Sequence, residues 1–135
     1  LTSINYDTTK FKSFANRPLR GIINDKEING EVDFMIASGE FEPKAPYFCL
    51  HEYKKEKNID NDPLGQLLVA MIAAQSINNN EFPIYGAYVM GRNWFFLTLV
   101  NMTYCISNEY VATRDDIVDI YRIMKGMKGI INNIT

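Results

Sequence analysis

The chain has 135 residues, 47% hydrophobic and 22% charged, with a formal net charge of −2 and a pI near 5.4. That is enough for one domain with its own core and too little for two of ordinary size. The mild acidity excludes a protein that coats nucleic acid through bulk positive charge. The lack of a span-length apolar run or a signal-like start excludes a membrane helix, so a cytoplasmic protein is expected.

Residues 1 to 16 are polar with scattered aromatics and no clean period, although Asp7-Thr8-Thr9 could cap a short helix. Pro18 to Ile23 lead into a turn around Asn24-Asp25. Asn29-Gly30 is a second turn signal, and it opens a predicted strand from Glu31 to Ala37. Pro43 and Pro46 mark a loop before a second strand, Tyr47 to Lys54. Lys55 to Asn61 is a polar loop. Asp62 suits a helix N-cap and Pro63 the first helical position, so a helix is expected from Pro63 to about Ile77. Leu64, Leu67, Leu68, Met71 and Ile72 keep a helical period, while Val69, Ala70, Ala73 and Ala74 fill the other side. A helix apolar nearly all round is buried on more than one face. Asn78-Asn79-Asn80 ends it.

Three β-rich runs follow: Ile84 to Met90, Trp94 to Val100, and Thr103 to Ser107. The turns between them, at Gly91-Arg92 and Asn101-Met102, are short enough for antiparallel pairing. Thr113-Arg114-Asp115-Asp116 resembles a capping box with Asp in place of Glu. The helix behind it carries Ile117, Ile120, Tyr121, Met124, Lys128 and Ile131 at amphipathic spacing. The order implies an α/β or α+β domain with a central mixed sheet of about five strands flanked by helices. Cys49 and Cys105 fall in predicted strands without CxxC spacing or flanking histidines, so buried free thiols are expected rather than zinc ligands.

The chemistry concentrates in Tyr47-Phe48-Cys49-Leu50-His51-Glu52-Tyr53-Lys54. Residues two apart on a strand share a face, so Phe48, Leu50, Glu52 and Lys54 should point one way, with His51 opposite. That face turns from apolar to ionised in one step. Asp33, nineteen positions before Glu52, sits in the apolar run Val32-Asp33-Phe34-Met35-Ile36, where an uncompensated charge is costly. Asp33 could instead cap the Asn29-Gly30 turn or pair with a lysine. Glu52 and Lys54 could be a simple same-face ion pair, which is weak when exposed and unfavourable when buried. Lys54, Lys55 and Lys57 are either a solvated strand exit or a local basic patch. Trp94, Tyr85 and Tyr88 suit core packing as well as base stacking.

Asp33, followed by Glu52-Tyr53-Lys54 on a neighbouring strand and Gly65-Gln66-Leu67-Leu68 opening a helix, resembles the PD-(D/E)XK nuclease superfamily, the restriction-endonuclease-like fold. The likeness covers roughly Gly30 to Val100, with Val32 where the motif has proline. The resemblance implies a Mg²⁺- or Mn²⁺-dependent phosphodiesterase acting on nucleic acid, DNA first, of restriction or repair type, in a homodimer or larger assembly. It implies Asp33, Glu52 and the Tyr53 backbone carbonyl as metal ligands. Lys54 would act on the attacking water or scissile phosphate, and Gln66 would hydrogen-bond a metal-bound water or a phosphate. Such nucleases commonly add an acidic residue from a preceding helix. Asp7, Asp25 and Glu27 are candidates and none lies in a clear helix; since the chain begins without Met, the expectation is that this helix is missing from the piece, comes from another subunit, or never existed. The other expectation is a member of the fold that has lost catalysis and serves as a nucleic-acid or protein interaction module.

Overall fold

The computed structural model describes residues 4–54, 63–113 and 116–134. The elements in order are β1 (Lys12–Ile23), β2 (Lys26–Ser38), β3 (Lys44–Lys54), α1 (Pro63–Ile77), β4 (Ile84–Met90), β5 (Asn93–Val100), β6 (Thr103–Ile106), β7 (Tyr110–Val111) and α2 (Asp116–Ile134). One mixed sheet holds β1 to β6 in sequence order, with β7 added to β5. That exceeds the five strands expected, because β1 and the short β7 carry no readable period. Among the described residues only β3 and β4 pair in parallel, and α1 lies in the crossover between them. α1 lies on one face and α2 on the other, giving two cores. Leu67 and Met71 of α1 pack with Met35, Leu50 and Leu97, while Ile120, Met124 and Ile131 of α2 pack with Ile36, Cys49 and Phe96.

The β1–β2 turn is Asn24-Asp25, both at positive φ (51° and 64°), as a two-residue hairpin loop requires. Asn29-Gly30 is not a turn. It lies inside β2, paired with Arg20 and Leu19, so the two strands form a long arm. Side-chain alternation inverts partway along it: Phe14 and Leu19 both reach the α1 core, as do Met35 and Val32. Asn16, at φ 51°, stands where β1 makes this switch, between the Ala15↔Phe34 and Arg17↔Val32 pairs. A left-handed residue turns the pleat over, which Asn tolerates better than most side chains.

β3 starts earlier than expected, at Lys44, and its register against β2 slips between Ile36↔Cys49 and Ala37↔Tyr47. The bulge sends both Phe48 and Cys49 to the α2 core, so Phe48 does not share the face of Leu50. Asp7-Thr8-Thr9 caps no helix. Thr8 Oγ1 instead accepts the amides of Lys10 and Phe11 in a short turn before β1.

α1 has the expected bounds, although Val69 is exposed. It crosses β4 at Gly86, where an added Cβ would stand 2.7 Å from Met71 Sδ. The arm touches α1 at Gly21, where a Cβ would stand 2.6 Å from that of Ala73. Asn78, buried just past α1, accepts the Tyr47 amide (2.8 Å) and donates to the Tyr47 carbonyl (2.7 Å). Asn78→Ala removes both partners, so it is expected to lower unfolding stability by about 2–3 kcal/mol in urea denaturation.

On α2, Ile120, Met124, Met127 and Ile131 are buried, whereas Ile117 and Tyr121 are exposed. Asp116 Oδ2 accepts the Val111 amide and so ties β7 to the helix start. The expected Asp62 cap, the 55–61 loop and the Arg114-Asp115 half of the capping box lie outside the described residues. Among the described residues no helix is long and apolar enough to cross a membrane.

Candidate active site

The β2–β3 ladder runs to the pair Phe34↔His51. Continuing that register by one residue sets Asp33 opposite Glu52. The next amide of β3 is taken by a side chain rather than by backbone: Tyr53 N–H donates to Asp33 Oδ2 at 2.7 Å. Asp33 therefore stands at the inversion point of β2, its carboxylate held in the gap between two strands. An N–H and a C=O of one strand residue leave on the same edge. The Tyr53 carbonyl consequently faces the β2 side, where Asp33 is.

Glu52 is buried (5% exposed), with Lys54 Nζ 3.9 Å from its Oε2. Burial, then the charge of Asp33, raises the Glu52 carboxyl to about 7, with a smaller contribution from Glu31 and an opposing one from Lys54. At neutral pH this acid is thus divided between its two forms. The nearby ammonium does not offset the combined cost of burial and neighbouring carboxylates.

Glu52 opens into a cavity of about 540 Å³ between α1 and the β1–β2 arm. Gln66, on the first turn of α1, lines the same cavity, as do Glu31 and Asn29 of β2. Its walls are apolar: Leu19, Ile28 and Val32 from the arm, Val69 and Ala73 from α1. Asp33 and Lys54 are not part of its lining. They flank Glu52 outside it, joined to it by register and by the ion pair. The structure thus brings together Asp33, Glu52, Tyr53 and Lys54 at the end of β3, and sets Gln66 in the lining of the cavity into which Glu52 opens.

The three acids considered for a further ligand sit elsewhere. Asp7 Oδ1 accepts the Ser13 amide and hydroxyl, while Asp25 and Glu27 line a separate hollow at the arm's tip. Glu31 stood at the first position of the predicted strand, where the reading of Asn29-Gly30 as a turn made it an end residue rather than part of a site. Alternation carried on through that dipeptide would have extended the strand over it. Among the described residues no three His, Cys, Asp or Glu side chains form a metal-binding group.

His51 is fully buried, ring to ring with Phe34 at 4.7 Å, and its Nδ1 lies 2.7 Å from the Tyr53 hydroxyl. Burial pushes its pKa down to about 3, so it is a neutral packing residue. Its Nε2 has no hydrogen-bond partner among the described residues, with the Trp94 ring edge-on nearby. Trp94 and Tyr88 are buried in the two cores. Cys49 is a buried thiol as expected, but Cys105 is exposed, because β6 is an edge strand. No protein-family model, curated protein or solved structure matches the chain.

Proposed function

We propose that this chain is a metal-dependent phosphodiesterase domain acting on nucleic acid, built on the restriction-endonuclease-like plan. One observation carries the reading. Asp33, within β2, meets Glu52-Tyr53-Lys54, at the end of antiparallel β3, where the ladder between the two strands stops, and Glu52 opens into a cavity roofed by the next helix. The resemblance implies an Asp at the start of one core strand and Glu-X-Lys near the end of the next; Asp33 lies further along its strand, and its approach to Glu52 supports the reading.

The donor set suits Mg²⁺ or Mn²⁺, which is commonly held by one or two carboxylates while keeping several waters. Asp33, Glu52 and the Tyr53 carbonyl would hold it. Its charge would stabilise the oxygens of a phosphoryl centre and acidify a bound water. The neighbouring carboxylates and the raised Glu52 pKa supply an electrostatic reason for a cation to bind. The other steps belong to the chain. Asp33 stays oriented by the Tyr53 amide, which donates to its Oδ2. Lys54, a charged donor with no acceptor, orients the attacking water or the scissile phosphate. Gln66, in the lining of the same cavity, offers its side-chain amide as a donor to a bound water or a phosphate.

A second reading keeps the fold and the nucleic-acid partner but not the reaction: an interaction module. The lack of a third converging acidic or imidazole ligand among the described residues favours it. Incubation of supercoiled plasmid with the protein and millimolar Mg²⁺ separates the two. Nicking that is lost in Asp33→Ala and in EDTA supports the enzyme. Retention of DNA without nicking supports the module, and neither retention nor nicking refutes both.

A further inference from the structure

We infer that β6 is a self-pairing edge through which two copies of this chain join their sheets in antiparallel register about Cys105. β6 ends the sheet, and among the described residues no strand covers its outer side. All four residues of β6 are exposed. Edge strands are usually defended by shortness, lysine, proline or a bulge, and four-residue Thr103-Tyr104-Cys105-Ile106 has only the first of these. The edge also carries apolar surface, with Met102 62% and Tyr104 48% exposed. It is held rigid. Asn101 and Met102 form a two-residue turn at positive φ, and the Met102 amide donates to the buried Gln75 Oε1.

The register specifies the partner. A two-residue turn makes Val100↔Thr103 a hydrogen-bonded pair, so Thr98↔Cys105 is one as well. The Ser107 amide reaching the Phe96 carbonyl at 2.8 Å continues the same pattern. Tyr104 and Ile106 therefore direct their amides and carbonyls away from β5. A second β6 laid antiparallel satisfies these groups if Tyr104 of one copy pairs with Ile106 of the other. That register places the two Cys105 residues opposite each other as a non-hydrogen-bonded pair. Such pairs hold Cα atoms about 4.5 Å apart, within the span of a disulfide. The two-fold axis then stands perpendicular to the sheet, and both cavities open on the same face of a continuous sheet. The ladder and its side chains cover roughly 800 Å² in total, less than a stable interface needs, so self-association should be weak, with Kd in the region of about 10–100 μM.

Sedimentation equilibrium of the reduced chain across that range, with diamide oxidation as a second arm, tests the pairing. The expected result is a monomer–dimer equilibrium, with a covalent dimer on oxidation that Cys105→Ser abolishes. Diamide takes up the two electrons and two protons released by the thiols. Tyr104→Pro removes an outward amide without touching the β5 ladder, and it should weaken association at least about ten-fold. Should that variant fail to fold, Ile106→Lys replaces it as the edge-blocking test. A chain that stays monomeric and forms no disulfide overturns the inference. So does a dimer undisturbed by a folded edge variant.

Discussion

Lys54→Met is expected to cut the rate of Mg²⁺-dependent nicking by about 10²–10⁴-fold while leaving the metal-induced rise in Tm in place. The side chain lies 3.9 Å from Glu52 and is not a cation ligand, so its loss should remove the water- or phosphate-orienting step alone. Methionine keeps the length of the half-buried stem, so packing changes little. Lys54→Arg should not restore the rate, since a planar fork cannot take the place of a compact ammonium. Plasmid nicking followed with time, beside a thermal melt with and without Mg²⁺, reads both effects. Unchanged nicking in Lys54→Met would remove this residue from the mechanism.

Glu52→Gln should abolish the thermal response to Mg²⁺ and yet stabilise the metal-free protein above pH 7. The folded-state pKa of Glu52, about 7, lies above the ordinary carboxylate value because of burial first and Asp33 second. The folded chain therefore binds a proton that the unfolded chain releases at lower pH. This contribution is fully present below about pH 4.5 and is lost as pH rises through about 7. With partial solvent access the loss is on the order of 2 kcal/mol at pH 8. Glutamine carries no such proton, so urea denaturation of Glu52→Gln should be flat over that window. A cation requires the ionised carboxylate, so metal affinity in the unaltered chain should rise between pH 6 and 8. A site that lowers stability until its ligand arrives is a familiar compromise between stability and function.

The local signals in the sequence were the reliable ones. Pro63 and the Asn78-Asn79-Asn80 run mark both ends of α1 through φ and capping preferences that need no tertiary context. Ile84 to Met90 reads as a strand for the same reason. β1 does not, because its faces are partly solvated and its alternation inverts at Asn16. Two sites suited to tight turns, Asn24-Asp25 and Asn29-Gly30, compete for one hairpin, and cross-strand pairing decides between them. The bulge that redirects Phe48 is equally non-local.

The candidate site divides along the same line. Asp33, Glu52 and Lys54 were legible because ionised residues inside apolar strands conflict with their surroundings. Gln66 entered through the resemblance alone, which implies a polar residue with a site role on this helix. The cavity, the Glu31 charge beside Glu52 and the anchoring of Asp33 by the Tyr53 amide all depend on how the arm folds over α1. No spacing in the sequence encodes that closure. It rests on contacts such as Gly21 against Ala73.

Whether the paired carboxylates hold a cation is the point on which the functional account turns. Anomalous diffraction from crystals soaked in Mn²⁺ addresses it most directly. A peak within about 2.5 Å of carboxylate oxygens of both Asp33 and Glu52 is the expected result. Crystals with full anomalous signal at other sites and none between these two residues would contradict it.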